Sequence, residues 1–300
     1  MSIRKICLYW PAIVAFIWIS FISAYASAAE QKVQVDGEGR GLIGILNLPA
    51  GVGNPPVVLM LSGFTNDKNG FEIPSTKERL FALAAERLAE SGVASFRLDF
   101  SGSGESKGKW EDTTFTGQLY DAALAFGYLQ ALKSVDGSKV TVLGYSQGGL
   151  IAAHLAAAKP EASSIVLWAP VVDPVATYTK IMGHEAVTDA ISGPKDALTT
   201  APLIWGGETK LRGSFFHELP YFAPLDAVAR YPGPLLVVVG DHDDLVSPQP
   251  AAGQSLLDSH QGEEELLAVD ADHFWNAGAT AEVIEDVLIP RTIDWLVAHF

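Results

Sequence analysis

The sequence predicts an α/β fold, with a mostly parallel central sheet flanked by helices on both faces and one long insertion. Three observations carry that expectation. Short apolar runs alternate along the chain with longer stretches of helical periodicity, the layout of a sheet built by crossover connections. The runs are apolar throughout instead of alternately polar, as strands buried on both faces must be. Residues 171–234 break the alternation with a mixture of Gly, Pro, aromatic and polar residues far longer than a βα connection needs.

The first thirty residues stand apart from this pattern. Arg4 and Lys5 precede an apolar run over about 6–22, which small residues follow, and this is the signature of an export signal. Ala26-Ser27-Ala28 fits the small-x-small rule for cleavage, so 1–28 is expected to be removed and the mature chain to begin near Ala29. Ala24-Tyr25-Ala26 is the second candidate. An uncleaved membrane anchor competes with this reading, but Pro11 and the aromatic residues bring the clean apolar stretch to the lower limit for crossing about 30 Å of hydrocarbon. The protein is therefore expected in the periplasm or outside the cell. The only cysteine, Cys7, lies in the signal, so the mature chain has no thiol for catalysis, metal ligation or a disulfide.

After the signal, runs around Val33 and over 41–48 flank Gly37-Glu38-Gly39 and read as a hairpin. Residues 56–61, 93–100, 140–144, 164–168 and 235–240 read as buried parallel strands, and a last strand is expected over about 264–269. Between them, 77–91 carries Leu80, Phe81, Ala84 and Leu88 at helical spacing, with Ser75 and Glu78 at the separation of a capping box. Residues 118–132, 147–158, 251–259 and 281–298 read as further helices. No internal repeat or low-complexity tract divides the chain, so 29–300 is expected to form one domain carrying the insertion at about 171–234, a segment of the kind that serves as a lid.

A chain of 300 residues that is 48% hydrophobic and 18% charged has the material for a large core, which excludes a disordered protein. Its 20 basic and 35 acidic side chains give a formal charge of -15, falling to about -17 once Arg4 and Lys5 are removed. That balance argues against nucleic acid and against an anionic membrane surface as partners, so no stable membrane partner is expected after cleavage.

The chemistry is concentrated in Gly144-Tyr145-Ser146-Gln147-Gly148, which follows a strand and opens a helix. That context is the one a G-x-S-x-G nucleophile elbow requires, since glycine on either side lets the chain turn sharply and leaves the serine hydroxyl exposed. Serine needs a general base and an orienting carboxylate. His273, just after the last strand in Asp270-Ala271-Asp272-His273-Phe274, is the base candidate; His154, His184, His217, His242, His260 and His299 lack that position. Three carboxylates compete for the third role in Gly240-Asp241-His242-Asp243-Asp244, and loop position favours Asp243, with Asp241 and Asp244 as turn formers. An acyl-transfer site also needs two oxyanion donors. One is expected to be the backbone N–H of Gln147, and the other that of Phe64 in the loop Ser62-Gly63-Phe64-Thr65. The glycines of 102–104 and 108 lack nucleotide-fingerprint spacing, and no His or carboxylate grouping has compelling metal spacing, so no cofactor and no metal are expected.

The order Ser, Asp, His is that of the α/β hydrolases. Together with Leu61-Ser62-Gly63-Phe64-Thr65-Asn66-Asp67-Lys68 and Arg97-Leu98-Asp99-Phe100-Ser101-Gly102-Ser103-Gly104-Glu105-Ser106, the chain resembles the cinnamoyl or feruloyl esterase branch of that superfamily, within the serine aminopeptidase and monoglyceride lipase-like group. The resemblance runs from about residue 41 to the end. It implies the α/β-hydrolase fold, Ser146, Asp243 and His273 as a catalytic triad, Phe64 and Gln147 as oxyanion donors, and a lid inserted after the sixth strand. Two positions depart from the branch, since Ser62 and Ser103 stand where histidines are usual.

The expected activity is hydrolysis of a small-molecule carboxylic ester through an acyl-enzyme on Ser146. The same triad acting on small peptides or monoacylglycerols is the nearest alternative, and a non-catalytic binding protein on the same fold is the alternative from a different class. Lid residues Trp205, Phe215, Phe216, Tyr221 and Phe222 suit an aromatic or fatty acyl group, or else pack the lid down. Oligomeric state is not legible.

Overall fold

A computed structural model describes residues 29–300, and the expected signal segment lies outside the described residues. The chain opens with an antiparallel hairpin of β1 (Ala29–Val35) and β2 (Leu42–Leu48), turning at the glycines of 37–39. Strand β3 (Val57–Leu61), helix α1 (Leu80–Glu90) and strand β4 (Ala94–Leu98) follow, then α2 (Phe115–Ala131), β5 (Val140–Tyr145), α3 (Gln147–Ala158) and β6 (Ile165–Trp168). Next comes the insertion with α4 (Pro174–Met182), α5 (His184–Ser192), the hairpin of β7 (Leu198–Pro202) and β8 (Glu208–Arg212), α6 (Gly213–Glu218) and α7 (Pro224–Val228). The chain then returns through β9 (Leu235–Gly240), α8 (Ala251–Ser259) and β10 (Glu264–Val269) to a π-helical turn over Val283–Leu288 and α9 (Ile289–Ala298).

Eight strands form the main sheet in the order β1-β2-β4-β3-β5-β6-β9-β10, parallel from β4 to β10 and antiparallel only where β2 meets its neighbours. The burial of β3 explains why its sequence is apolar at every position. Val57, Leu59 and Leu61 enter a core shared with α2, α3 and α8, while Val58 and Met60 enter the opposite one shared with α1 and α9. Removing each such side chain from water contributes roughly 1.5–3 kcal/mol. This is the α/β-hydrolase fold, with the insertion following the sixth strand.

Two expected helix starts move. Helix α1 begins at Leu80 without a side-chain cap, so the Ser75–Glu78 capping box does not form. Ile73 is fully buried, and its N–H takes the Glu78 carbonyl while Leu80 N–H takes that of Phe71, which folds 71–80 into a tight loop with Lys77 at φ 66°. Burial of one isoleucine outweighs a local cap worth about 1 kcal/mol. Helix α2 begins at Phe115, earlier than expected, because the Thr114 hydroxyl caps it by accepting from Gly117 N–H at 2.9 Å.

Candidate active site

Four of the loops that leave the carboxyl ends of the parallel strands carry the expected site residues: Phe64 after β3, Ser146 after β5, Asp243 after β9 and His273 after β10. Ligands in open parallel sheets gather at that edge. Ser146 occupies a sharp turn at φ 53°, ψ −115°, a conformation that L-residues adopt only under constraint. The constraint is visible at its flanking glycines. A Cβ on Gly144 would sit 2.1 Å from the Gly148 carbonyl oxygen, and one on Gly148 would sit 1.9 Å from that of Leu61. The turn is held by Ser146 N–H donating to the Trp168 carbonyl, and by Gly149, Leu150 and Val171 N–H groups donating to the Ser146 carbonyl.

The turn presents the Ser146 hydroxyl to His273 Nε2 at 3.0 Å, and His273 Nδ1 lies 2.7 Å from Asp243 Oδ2. All three residues are more than nine-tenths buried. An aspartate carboxylate only accepts, so Nδ1 carries the proton and donates, which leaves Nε2 free to accept from Ser146. Asp243 is itself fixed from behind, because its Oδ1 accepts from Leu245 N–H at 2.8 Å and Val246 N–H at 2.9 Å. The other carboxylates of that loop, Asp241 and Asp244, are exposed. His273 is steadied by two groups not singled out from the sequence. The Tyr145 hydroxyl donates to its carbonyl at 3.1 Å, and Asp272 Oδ1 accepts from Phe274 and Asn276 N–H, both at 2.8 Å, to form the loop that carries it. Burial holds the Tyr145 phenol well above its usual pKa, with Asp243 and Asp272 adding to the effect, so it stays a donor.

The Phe64 and Gln147 N–H groups donate to no protein acceptor among the described residues. Gln147 is the first residue of α3, whose amino end favours negative charge. The Phe64 loop is clamped from below by Asp99, which is fully buried and accepts from Lys68 N–H and Lys68 Nζ, both at 2.7 Å, and from Glu105 N–H at 2.9 Å. Burial works against the Lys68 charge, but Asp99 and Glu105 together raise its pKa. Ser103, one of the two departures from the resembling branch, donates to the Asn66 carbonyl at 3.0 Å and ties the two loops together; Ser62 reaches the same oxygen at 3.5 Å.

A cavity of about 310 Å³ opens over Ser146 and His273. Its walls are largely apolar: Phe64, Phe71, Ile181, Trp205, Leu245 and Phe274. Among the described residues, no titratable acid or base lines it apart from His273 and the Tyr145 phenol. The insertion contributes Ile181 from α4 and Trp205 from the tip of the β7–β8 hairpin. Among the other insert aromatics, Phe215 and Phe216 are fully buried, Phe222 lies against Phe115 and His154, and Tyr221 is exposed to solvent, so most of them pack the insertion down. Phe71 and Phe274 carry no mark in the sequence, since a lone aromatic in a loop gives no periodic signal; Phe71 comes to the site through the tight 71–80 loop. Asp241, His242 and Asp270 bring potential ligand atoms within 4.8 Å of one another, but all three are exposed and lie outside the triad. No helix among the described residues is long and apolar enough to cross a membrane.

The fold is that of the α/β hydrolases, and Ser146 sits in a strained turn at the place of its nucleophile elbow. A profile of the family described as serine aminopeptidase, S33, matches residues 77–193, which include Ser146 but less than half of the chain. Among curated proteins none matches the chain in sequence. Similar solved structures include Est1E from Butyrivibrio proteoclasticus with ferulic acid bound, at 22% identity, covering 88% of this chain and 96% of that one, with a TM-score of 0.65. Acetyl xylan esterase 1 from Thermoanaerobacterium sp. JW/SL YS485 is 16% identical over 94% of this chain and 86% of its own, with a TM-score of 0.65. A dienelactone hydrolase from Anabaena variabilis ATCC 29413 is 17% identical over 91% and 99%, with a TM-score of 0.61. The chain thus has the α/β-hydrolase fold and is similar over part of its length to the serine aminopeptidase, S33, family and in structure to a feruloyl esterase.

Proposed function

We propose that this chain is an exported serine esterase that hydrolyses small carboxylic esters with an apolar, preferably aromatic, acyl group. One observation carries the reading: the buried Ser146–His273–Asp243 chain of hydrogen bonds at the floor of an apolar cavity. In the first step His273 Nε2 takes the Ser146 proton as Oγ attacks the ester carbonyl carbon. The carbonyl oxygen, now negative, accepts from Phe64 and Gln147 N–H. Collapse of the tetrahedral adduct breaks the bond to the alcohol oxygen, which leaves with the proton from His273. Water then attacks the acyl-enzyme by the same route and releases the acid, while Asp243 stabilises the imidazolium formed in each step.

The lining of the cavity supports an ester over an aminopeptidase substrate. A peptide amino terminus carries an ammonium group that needs a carboxylate partner, and none of the described residues lining the cavity is one. An apolar lining also suits monoacylglycerols, which makes a lipase of small acylglycerols the second reading. We read Ile181 and Trp205 as lid residues facing the acyl group. Export to the periplasm or the medium rests on the pattern of residues 1–28. Neither nucleic acid nor a stable membrane partner belongs to the proposal.

The test is turnover of p-nitrophenyl acetate, methyl ferulate, a monoacylglycerol and an aminoacyl anilide by the mature protein and its Ser146→Ala variant. Ester turnover that disappears in the variant supports the mechanism, and the preferred substrate chooses between the readings. Turnover that survives the substitution removes Ser146 from the chemistry, and none at all favours a binding protein on a hydrolase fold.

A further inference from the structure

The side chain of Gln147 does not enter the cavity, although its backbone N–H is the donor beside the nucleophile. The side chain is almost fully buried and held at both ends of its amide: Nε2 donates to Gln118 Oε1 of α2 at 2.6 Å, and Oε1 accepts from the Tyr178 hydroxyl. Tyr178 belongs to α4, the first helix of the insertion, and is fully buried. Its ring also meets that of Phe64, edge to face, with centroids 5.3 Å apart. One side chain of the insertion therefore touches both residues whose N–H groups would bind the oxyanion.

We propose that Tyr178 is a positioning residue of the oxyanion hole: its hydroxyl anchors the Gln147 side chain and its ring braces Phe64, so that a helix of the insertion sets the spacing of the two backbone donors. This rests on the esterase reading above. The neighbourhood keeps Tyr178 from adopting another arrangement. Phe115 of α2 and Phe215 of α6 enclose its ring, with centroids at 5.7 and 5.1 Å, and burial keeps the phenol protonated as a donor. Because Tyr178 donates to Oε1, the amide of Gln147 is oriented with its NH₂ toward Gln118, and the first turn of α3 is tied to two other helices at once. Ile181, three residues further along α4, lines the cavity. The same helix thus offers one residue to the acyl group and another to the oxyanion donors.

Oxyanion donors matter through position, and an error of 1 Å at a reacting centre costs about a hundredfold in rate. The Tyr178→Phe variant keeps the ring against Phe64 and loses only the anchor of Gln147. The expected result is a fall in kcat of about ten- to hundredfold with KM within about twofold. The fall should be the same factor for p-nitrophenyl acetate and methyl ferulate, with weaker inhibition by a boronic acid that mimics the tetrahedral adduct. In a Gln147→Ala background, which retains the backbone N–H, Tyr178→Phe should bring no further loss.

Three results overturn the proposal: an unchanged kcat, a loss confined to KM or to the ferulate, which would make Tyr178 a wall of the acyl pocket, or full additivity with Gln147→Ala. Should Tyr178→Phe not fold, Gln147→Met removes both side-chain hydrogen bonds at similar length and must give the same loss in kcat alone. A wild-type protein that neither turns over an ester nor reacts with an organophosphate overturns the esterase reading and this inference with it. An active wild type with an indifferent Tyr178→Phe overturns this inference alone.

Discussion

Asp243→Asn separates the three acidic residues of the loop after β9 and tests the orientation of the base. Asn retains an oxygen for the Leu245 and Val246 N–H groups that hold Asp243 Oδ1, so the loop should keep its shape. What remains facing His273 Nδ1, at the 2.7 Å now spanned by an N–H···O bond, is then an NH₂ group. Two donors cannot share that distance, so the imidazole moves its proton to Nε2 and accepts from Asn at Nδ1. Nε2 then no longer takes the proton of Ser146. Loss of the correct tautomer in such a triad lowers kcat about 10,000-fold, which at about 1.36 kcal/mol per decade is about 5 kcal/mol of barrier. The assay is steady-state hydrolysis of p-nitrophenyl acetate at neutral pH, with thermal melting to show that the variant is folded. Asp241→Asn and Asp244→Asn, at exposed positions, should stay within about twofold of wild type. Asp243→Asn activity above a tenth of wild type, or an equal collapse in either neighbour, would refute the assignment.

Three further outcomes follow from the same geometry. Gly148→Ala places a Cβ 1.9 Å from the Leu61 carbonyl oxygen, so β3 and α3 must separate; stability should fall by about 1–3 kcal/mol in denaturant titration and kcat by about a hundredfold. Trp205→Ala, at the cavity mouth, should lower kcat/KM for methyl ferulate about tenfold while leaving p-nitrophenyl acetate within about twofold, since only a larger acyl group reaches the indole. His154, whose ring lies 4.7 Å from that of Phe222 and whose Nε2 has no partner among the described residues, has its pKa lowered to about 4 by burial and by Arg230, against a smaller raising effect of Asp226. Its folded pKa lies below its unfolded value, so its contribution is full above about pH 6.5 and is lost as pH falls toward 4, on the order of 3 kcal/mol in all. Denaturant midpoints at pH 7, 5.5 and 4 should therefore fall more steeply for wild type than for His154→Leu, and equal slopes would remove the residue from the acid response.

Much of this molecule was legible in its sequence, for reasons that differ by element. The parallel strands were readable because β3, β5, β6 and β9 are buried on both faces, so every position of each run reports burial. The elbow was readable because a steric requirement at Gly144 and Gly148 is written directly into residue type. The start of α1 was misread because Ser75 and Glu78 are a short-range signal, whereas the burial of Ile73 that overrides them is a tertiary fact. Asp243 could be preferred but not singled out, since Asp241 and Asp244 share its loop and only the direction of the side chain toward His273 separates them. The insertion gave least. Its hairpin and four helices are held by aromatic contacts such as Phe115 with Phe215, between residues a hundred apart in sequence, and no local pattern encodes such a pairing. The two-ended hold on Gln147 was hidden for the same reason, since α2, α3 and α4 meet only in the fold.

The most direct test of Ser146 as the nucleophile is intact-mass and peptide mass spectrometry after exposure of the protein to a fluorophosphonate at neutral pH. A single adduct on the peptide containing Ser146, abolished in Ser146→Ala and strongly slowed in His273→Ala, is the expected result. No adduct, or an adduct that persists in Ser146→Ala, would contradict it.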